Sequence, residues 1–148
     1  MQKQLRLVRC AAMFALLIAL PAVARAQETS DTTKLAAGLR TVRNSYAKAL
    51  SSMDANGAAA AFADSVYVEF QGQAFAGKQA ATGWLTEALQ GVSGLRFSEP
   101  TFTVSADQVV ERASYTVSTP GGDGQGATET TWKKQKDGSW KLARLVVT

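Results

Sequence analysis

Residues Tyr46 to Gly77 read YAKALSSMDANGAAAAFADSVYVEFQGQAFAG, and their order decides the fold. Tyr46 and Leu50 end an amphipathic helix, and Asp54 is placed to cap a second, short, alanine-rich helix running through Phe62. Asp64 and Ser65 make a turn. Val66 to Gln71 (VYVEFQ) then alternates, with Val66, Val68 and Phe70 on one face of a strand and Tyr67, Glu69 and Gln71 on the other. Gly72 and Gly77 bound a short turn and an edge segment.

On the N-terminal side, Leu35, Leu39, Val42, Tyr46, Leu50 and Met53 recur at steps of three and four. That spacing predicts a helix from Lys34 with one apolar face, leaving Arg40, Arg43 and Lys48 on the wet side. On the C-terminal side, Ala81, Trp84, Leu85, Ala88 and Leu89 stripe a third helix over Lys78 to Gln90, which ends at Gly91 to Gly94. The remainder reads as strands. Leu95 to Ser105 contains Pro100 and predicts one long strand with a bend or bulge. Gln108 to Thr119 follows, then TPGGDGQG (Thr119 to Gly126) as a flexible hairpin connection. Ala127 to Gln135 and Ser139 to Val147 are joined by Lys136-Asp137-Gly138, a hairpin signal. Three helices interleaved with one short strand, then an antiparallel meander, predict an α+β fold in which a curved antiparallel sheet wraps the helices.

The N-terminus reads as a leader. Lys3, Arg6 and Arg9 precede the apolar run Met13 to Leu20, Pro21 breaks it, and Ala24-Arg25-Ala26 is a small-x-small cleavage site. Residues 1–26 are expected to be a bacterial signal peptide, with export to the periplasm or beyond. Membrane contact is expected only if the leader stays uncleaved. Residues 27–33 (QETSDTT) read as a mobile polar tail, and 34–148 as one domain. Four of the 16 basic residues lie in the leader, leaving 12 against 12 acidic ones, so the basicity does not indicate a nucleic-acid partner. Cys10, the only cysteine, lies in the leader, and the chain has no histidine. Thiolate nucleophiles, Ser-His-Asp catalysis and the usual zinc sites are excluded, and no cofactor is expected. Any acid–base chemistry must use Asp, Glu, Tyr, Lys or Arg.

The Tyr46–Leu50 helix, Asp54, Phe62-Ala63-Asp64, the Val66–Phe70 strand, Gly77 and the ending TTWKKQKDGSWKLARLVV (Thr130 to Val147) together resemble the nuclear transport factor 2-like superfamily. That superfamily includes SnoaL-like and ketosteroid-isomerase-like proteins, and the chain is similar to its small bacterial branch called domain of unknown function 4440. The resemblance covers essentially all of residues 34–148. It implies a cone-shaped, cystatin-like roll with an apolar pocket, and homodimerisation through the sheet. The helix tyrosine of the ketosteroid-isomerase branch, an oxyanion-hole donor, falls on Tyr46. The general-base aspartate falls on Phe70, and the protonated aspartate donor on Thr130. Phe70 cannot abstract a proton, so the resemblance implies the fold without the steroid-isomerase reaction.

The residues expected around a pocket are Tyr46, Phe62, Phe70, Trp84, Tyr115, Thr130 and Trp132. Tyr46 reads either as a pocket hydrogen-bond donor or as a core tyrosine; the tryptophans, Trp140 among them, and Tyr115 stack on a ligand or fill the core. Glu111 and Arg112 are neighbours on a strand and face opposite sides. Should Glu111 face inward, burial would raise its pKa and make it a base. Arg144 reads as a ligand anchor or as a surface ion pair. Asp54 and Asp64 are explained by capping and turn, and Lys133, Lys134, Lys136 and Lys141 by a solvated hairpin end. Val104, Val109, Val110, Val117, Leu142, Leu145, Val146 and Val147 offer apolar strand surface for a dimer. Three functions follow: an exported pocket protein for a small apolar or amphipathic molecule, a SnoaL-like enzyme using Tyr46 and Glu111, or an interaction module.

Overall fold

A computed structural model describes residues 26–148. The expected leader therefore lies outside the described residues, apart from Ala26. The strands are β1 (Gln27–Thr29), β2 (Phe62–Phe70), β3 (Gln73–Ala76), β4 (Gly94–Phe97), β5 (Thr101–Val104), β6 (Gln108–Thr119), β7 (Gly122–Lys134) and β8 (Trp140–Val147). The helices are α1 (Ala37–Ser51), α2 (Ala55–Ala59) and α3 (Lys78–Ala88). One curved sheet runs β1-β5-β6-β7-β8-β2-β3, with β4 also paired to β6. The α+β class and the three helices match the sequence reading. The sheet is mixed, because β2 runs parallel to β8 while every other pair is antiparallel.

Local chemistry sets most boundaries. The Asp54 carboxylate accepts from the Gly57 N–H at 2.8 Å and starts α2, as expected of an N-cap. The short helix stops at Ala59 rather than Phe62, because Phe62 begins β2. Gln71 and Gly72 both have positive φ, 51° and 78°, and make a two-residue hairpin between β2 and β3.

Other stretches also differ from the sequence reading, and Asp64 and Ser65, expected to make a turn, lie inside β2. The polar stretch expected to be a tail carries β1, an edge strand on β5, and a short 3-10 turn over Thr32–Lys34 capped by Asp31. The long strand expected over Leu95 to Ser105 is two strands, both on β6. Pro100 lacks an N–H, and at the break Ser98 takes over pairing, its N–H donating to the Ser114 carbonyl at 2.9 Å. The glycine-rich stretch expected to be a flexible connection is mostly strand, since β7 starts at Gly122. Finally, a bulge at Ala143, between the pairs Trp132–Leu142 and Thr131–Arg144, lets both Leu142 and Leu145 face inward.

The core sits between α1, α2 and the inner face of the sheet. Trp132, Phe62, Phe102, Leu39, Leu142, Val66, Val68 and Val109 are its largest fully buried side chains. Trp140 is also buried, with its ring edge against Gly38. Of the eight apolar strand residues, some of which alternation was expected to place on the outer face, Val110 and Val146 lie on it. Val104, Val109, Val117, Leu142, Leu145 and Val147 belong to the core or to the cavity beside it. Among the described residues, no helix is long and apolar enough to cross a membrane.

Candidate functional site

The inner face of β6, β7 and β8 forms rows fixed by strand register. Val109, Trp132 and Leu142 make one row, Glu111, Thr130 and Leu145 the next, and Ala113, Thr128 and Val147 a third. The first row is packed solid. Beyond the second row a cavity of about 250 Å³ opens between α1, α3, β4 and the sheet. Its walls are mostly apolar, with Leu50, Leu85, Leu89, Leu95 and Val117 among them. Phe97 and Tyr115 pair at 6.4 Å between ring centroids, and Phe97 is 42% exposed. Slightly under the usual range for ligand pockets, about 300–1,000 Å³, the cavity suits a small molecule.

Small residues make this room. Ala113 and Thr128 stand where a larger pair would fill it. The Tyr115 ring lies across Gly126, where an added Cβ would sit 2.7 Å from the tyrosine oxygen. Gly124 likewise leaves space for Val117. These strand glycines belong to the stretch that the sequence presented as a loop.

Polar groups gather at the floor. Arg43 reaches from α1 to β6, its Nε and Nη2 both donating to Oε1 of Glu111, at 2.9 and 2.7 Å. Trp132 Nε1 donates to the other carboxylate oxygen at 3.0 Å. The ion pair is shielded, with side chains 18% and 13% exposed, and the Arg43 guanidinium lies 5.1 Å from the Phe102 ring centroid. Arg43 was expected on the wet side. It stands four residues after Leu39 and three before Tyr46, on the apolar stripe itself, and that spacing was the signal for its burial. Glu111 faces inward and Arg112 outward. As both oxygens of Glu111 are engaged, it is a paired carboxylate rather than a free base.

Tyr46 sits beside this pair, its ring 5.7 Å from Trp132 in an edge-to-face contact and 6.4 Å from Phe62. Burial first, and the negative charge of Glu111 second, push its hydroxyl well above the ordinary tyrosine range, so it stays protonated. That hydroxyl makes no hydrogen bond among the described residues. Trp84 packs against Phe70 and Phe75, and its Nε1–H is buried without a partner. Leaving such a donor unpaired costs about 1–3 kcal/mol.

Of the expected pocket set, Tyr46, Phe70, Trp84, Tyr115 and Thr130 line the cavity, and so does Glu111. Phe62 and Trp132 do not. They are 1% and 0% exposed and fill the core below it. Arg144 does not line the cavity. It pairs with Glu69 and Glu129 on the outer face. The hairpin lysines stay apart from the cavity, with Lys141 donating to the Ala60 carbonyl. Among the described residues, no three His, Cys, Asp or Glu side chains are grouped to hold a metal.

A family model described as a SnoaL-like domain matches residues 42–143. A protein of unknown function from Mycobacterium tuberculosis shares the fold at TM-score 0.62 and 21% identity, over 75% of this chain and 69% of that one. A nuclear transport factor 2-like protein of unknown function from Pseudomonas putida aligns at TM-score 0.64 and 17% identity, covering 74% and 82% of the two chains. A ketosteroid isomerase-like protein from Erwinia carotovora atroseptica aligns at TM-score 0.58 and 21% identity, covering 75% and 92%. Comparison with curated proteins finds no match.

Proposed function

We propose, from the premise that this chain belongs to the SnoaL-like domain family, that it binds a small, largely apolar molecule carrying a hydrogen-bond acceptor. The observation that carries this reading is the Trp84 Nε1–H, buried in the wall of an apolar cavity without a partner among the described residues. A buried donor is costly unless it is satisfied, and a ligand carbonyl, hydroxyl or ether oxygen would satisfy it. The Tyr46 hydroxyl, protonated and without a hydrogen bond among the described residues, adds weight to the same reading. Acid–base catalysis is less well supported. Glu111 is tied to Arg43 and Trp132, and Phe70 offers no base on the facing strand.

The export expected from residues 1–26 remains part of the proposal. So does a homodimer through the outer sheet face, for a different reason than apolar surface. Glu69, Arg144, Glu129 and Arg112 form an alternating ladder across β2, β8, β7 and β6. A two-fold axis through its centre would set Glu69 against Arg112 and Arg144 against Glu129 of a second copy, which favours self-association.

Native mass spectrometry of the protein purified from its own cells tests the ligand reading. A small adduct that leaves on collisional activation is expected, at lower occupancy in Tyr46→Phe. A bare polypeptide in every charge state, with no uptake of an added apolar ketone, would sink it.

A further inference from the structure

We propose that the Arg43–Glu111 pair sets the charge selectivity of the cavity, admitting neutral molecules and turning away anions and cations of the same shape. This rests on the reading of the cavity as a ligand site and names the class of molecule it takes.

Among the described residues, Arg43 and Glu111 are the only charged side chains that line the cavity. They neutralise one another at 2.7 Å, at its floor and largely out of water. An anionic ligand brought near the floor would lose its hydration and meet Glu111, whose charge is fixed there by Trp132. A cationic ligand would meet Arg43, held in place by Phe102. A neutral ligand pays neither penalty, and its acceptor reaches the Tyr46 hydroxyl.

The pair also contains a latent anion site. Both hydrogen bonds from Arg43 go through Nε and Nη2 to a single oxygen, and its Nη1 makes no hydrogen bond among the described residues. Removing the charge of Glu111 while keeping its shape would leave the guanidinium unbalanced in an apolar cavity, with donors free for a carboxylate. A planar guanidinium suits that partner well. Glu111→Gln makes this change. Its amide oxygen can still accept from Arg43.

The test uses three probes of one ring and a short tail: benzylacetone, a neutral ketone; hydrocinnamate, its carboxylate counterpart; and phenylpropylamine. Affinities are measured calorimetrically at neutral pH for the wild type, Glu111→Gln and Arg43→Gln, with folding checked by thermal melts. The wild type should prefer benzylacetone over both ions by about tenfold or more. Glu111→Gln should raise the affinity for hydrocinnamate relative to benzylacetone by about tenfold or more. Arg43→Gln should shift the preference toward phenylpropylamine, and it carries the test alone if Glu111→Gln does not fold. If benzylacetone binds but neither folded variant changes the order of the ions, charge selection by this pair is wrong and the cavity reading stands. If no probe binds any of the three proteins, the cavity reading fails and the selectivity falls with it.

Discussion

Two ends of one sheet face are built from the same three strands and have opposite character. At the closed end, the row Val109, Trp132 and Leu142 packs against Phe62 and Leu39, all at 2% exposure or less. Four residues further along β6, the row Ala113, Thr128 and Val147 borders open space. The backbone pairing is continuous through both rows. Side-chain volume at in-facing positions therefore decides whether this fold has a core or a cavity. Between them, the row of Glu111 and Thr130 carries polar groups, and the Glu111 carboxylate is satisfied from the closed side by Trp132 and from α1 by Arg43. The floor of the site is thus fastened to the packed end, and a ligand meets groups already held in place.

The comparison breaks first at Trp132. Trp132→Ala should lower stability by about 3–5 kcal/mol, because it empties a fully buried site and leaves Glu111 short of a donor. Chemical denaturation measures this. A loss under about 1 kcal/mol would mean that the closed end is no better packed than the open one.

Filling the open row should have the opposite consequence. Ala113→Leu adds apolar volume where the cavity has room, so stability should hold or rise by up to about 1 kcal/mol. Ligand affinity should fall by about tenfold or more, which is about 1.4 kcal/mol. A drop in stability of about 1–3 kcal/mol, the signature of overpacking, would show that the space is not there.

The same contrast explains what was legible in the sequence. Periodicity revealed Leu39, Leu50, Val66, Val68 and the capping Asp54, since local pattern and tertiary burial agree at the closed end. Phe62 and Trp132 read as pocket residues in the sequence, because an aromatic's type does not tell which row it joins. That depends on register with strands far away in sequence. Gly124 and Gly126 read as loop in the sequence, because glycine marks a turn and a close approach with the same letter. Arg43 was assigned to water by its charge, against its own spacing on the helix. Its partner Glu111 lies 68 residues away, beyond any local pattern.

Tyr46 tests the boundary between the two ends through pH. Its folded-state pKa is raised above the ordinary value of 10.0, so the unfolded chain releases this proton first. The contribution is fully present below pH ~10, and stability falls as pH rises beyond that, by at most about 1.4 kcal/mol per unit for one proton. Tyr46→Phe should remove this alkaline slope and leave stability near neutrality almost unchanged, since the hydroxyl has no protein partner. An alkaline slope identical in wild type and variant would place the hydroxyl in water rather than in the cavity.

The smallest effect is expected on the reverse side of the same rows. Arg112, Glu129 and Arg144 lie behind the polar boundary, 52%, 39% and 45% exposed at their side chains. Exposed pairs of this kind contribute about 0–1 kcal/mol each, so Arg112→Ala should barely move the unfolding midpoint of the monomer. Assembly is another matter, because the ladder works only as an alternating set. If two copies meet with Glu69 opposite Arg112, removing Arg112 takes the cross-dimer partner from both Glu69 side chains, and sedimentation at micromolar concentration should shift toward the monomer. Raising the salt should do the same to the wild type, as screening weakens surface pairs. A wild-type dimer indifferent to both changes would place the interface elsewhere. A monomer from the outset would leave the inner face, with its one closed and one open end, as the functional surface of this chain.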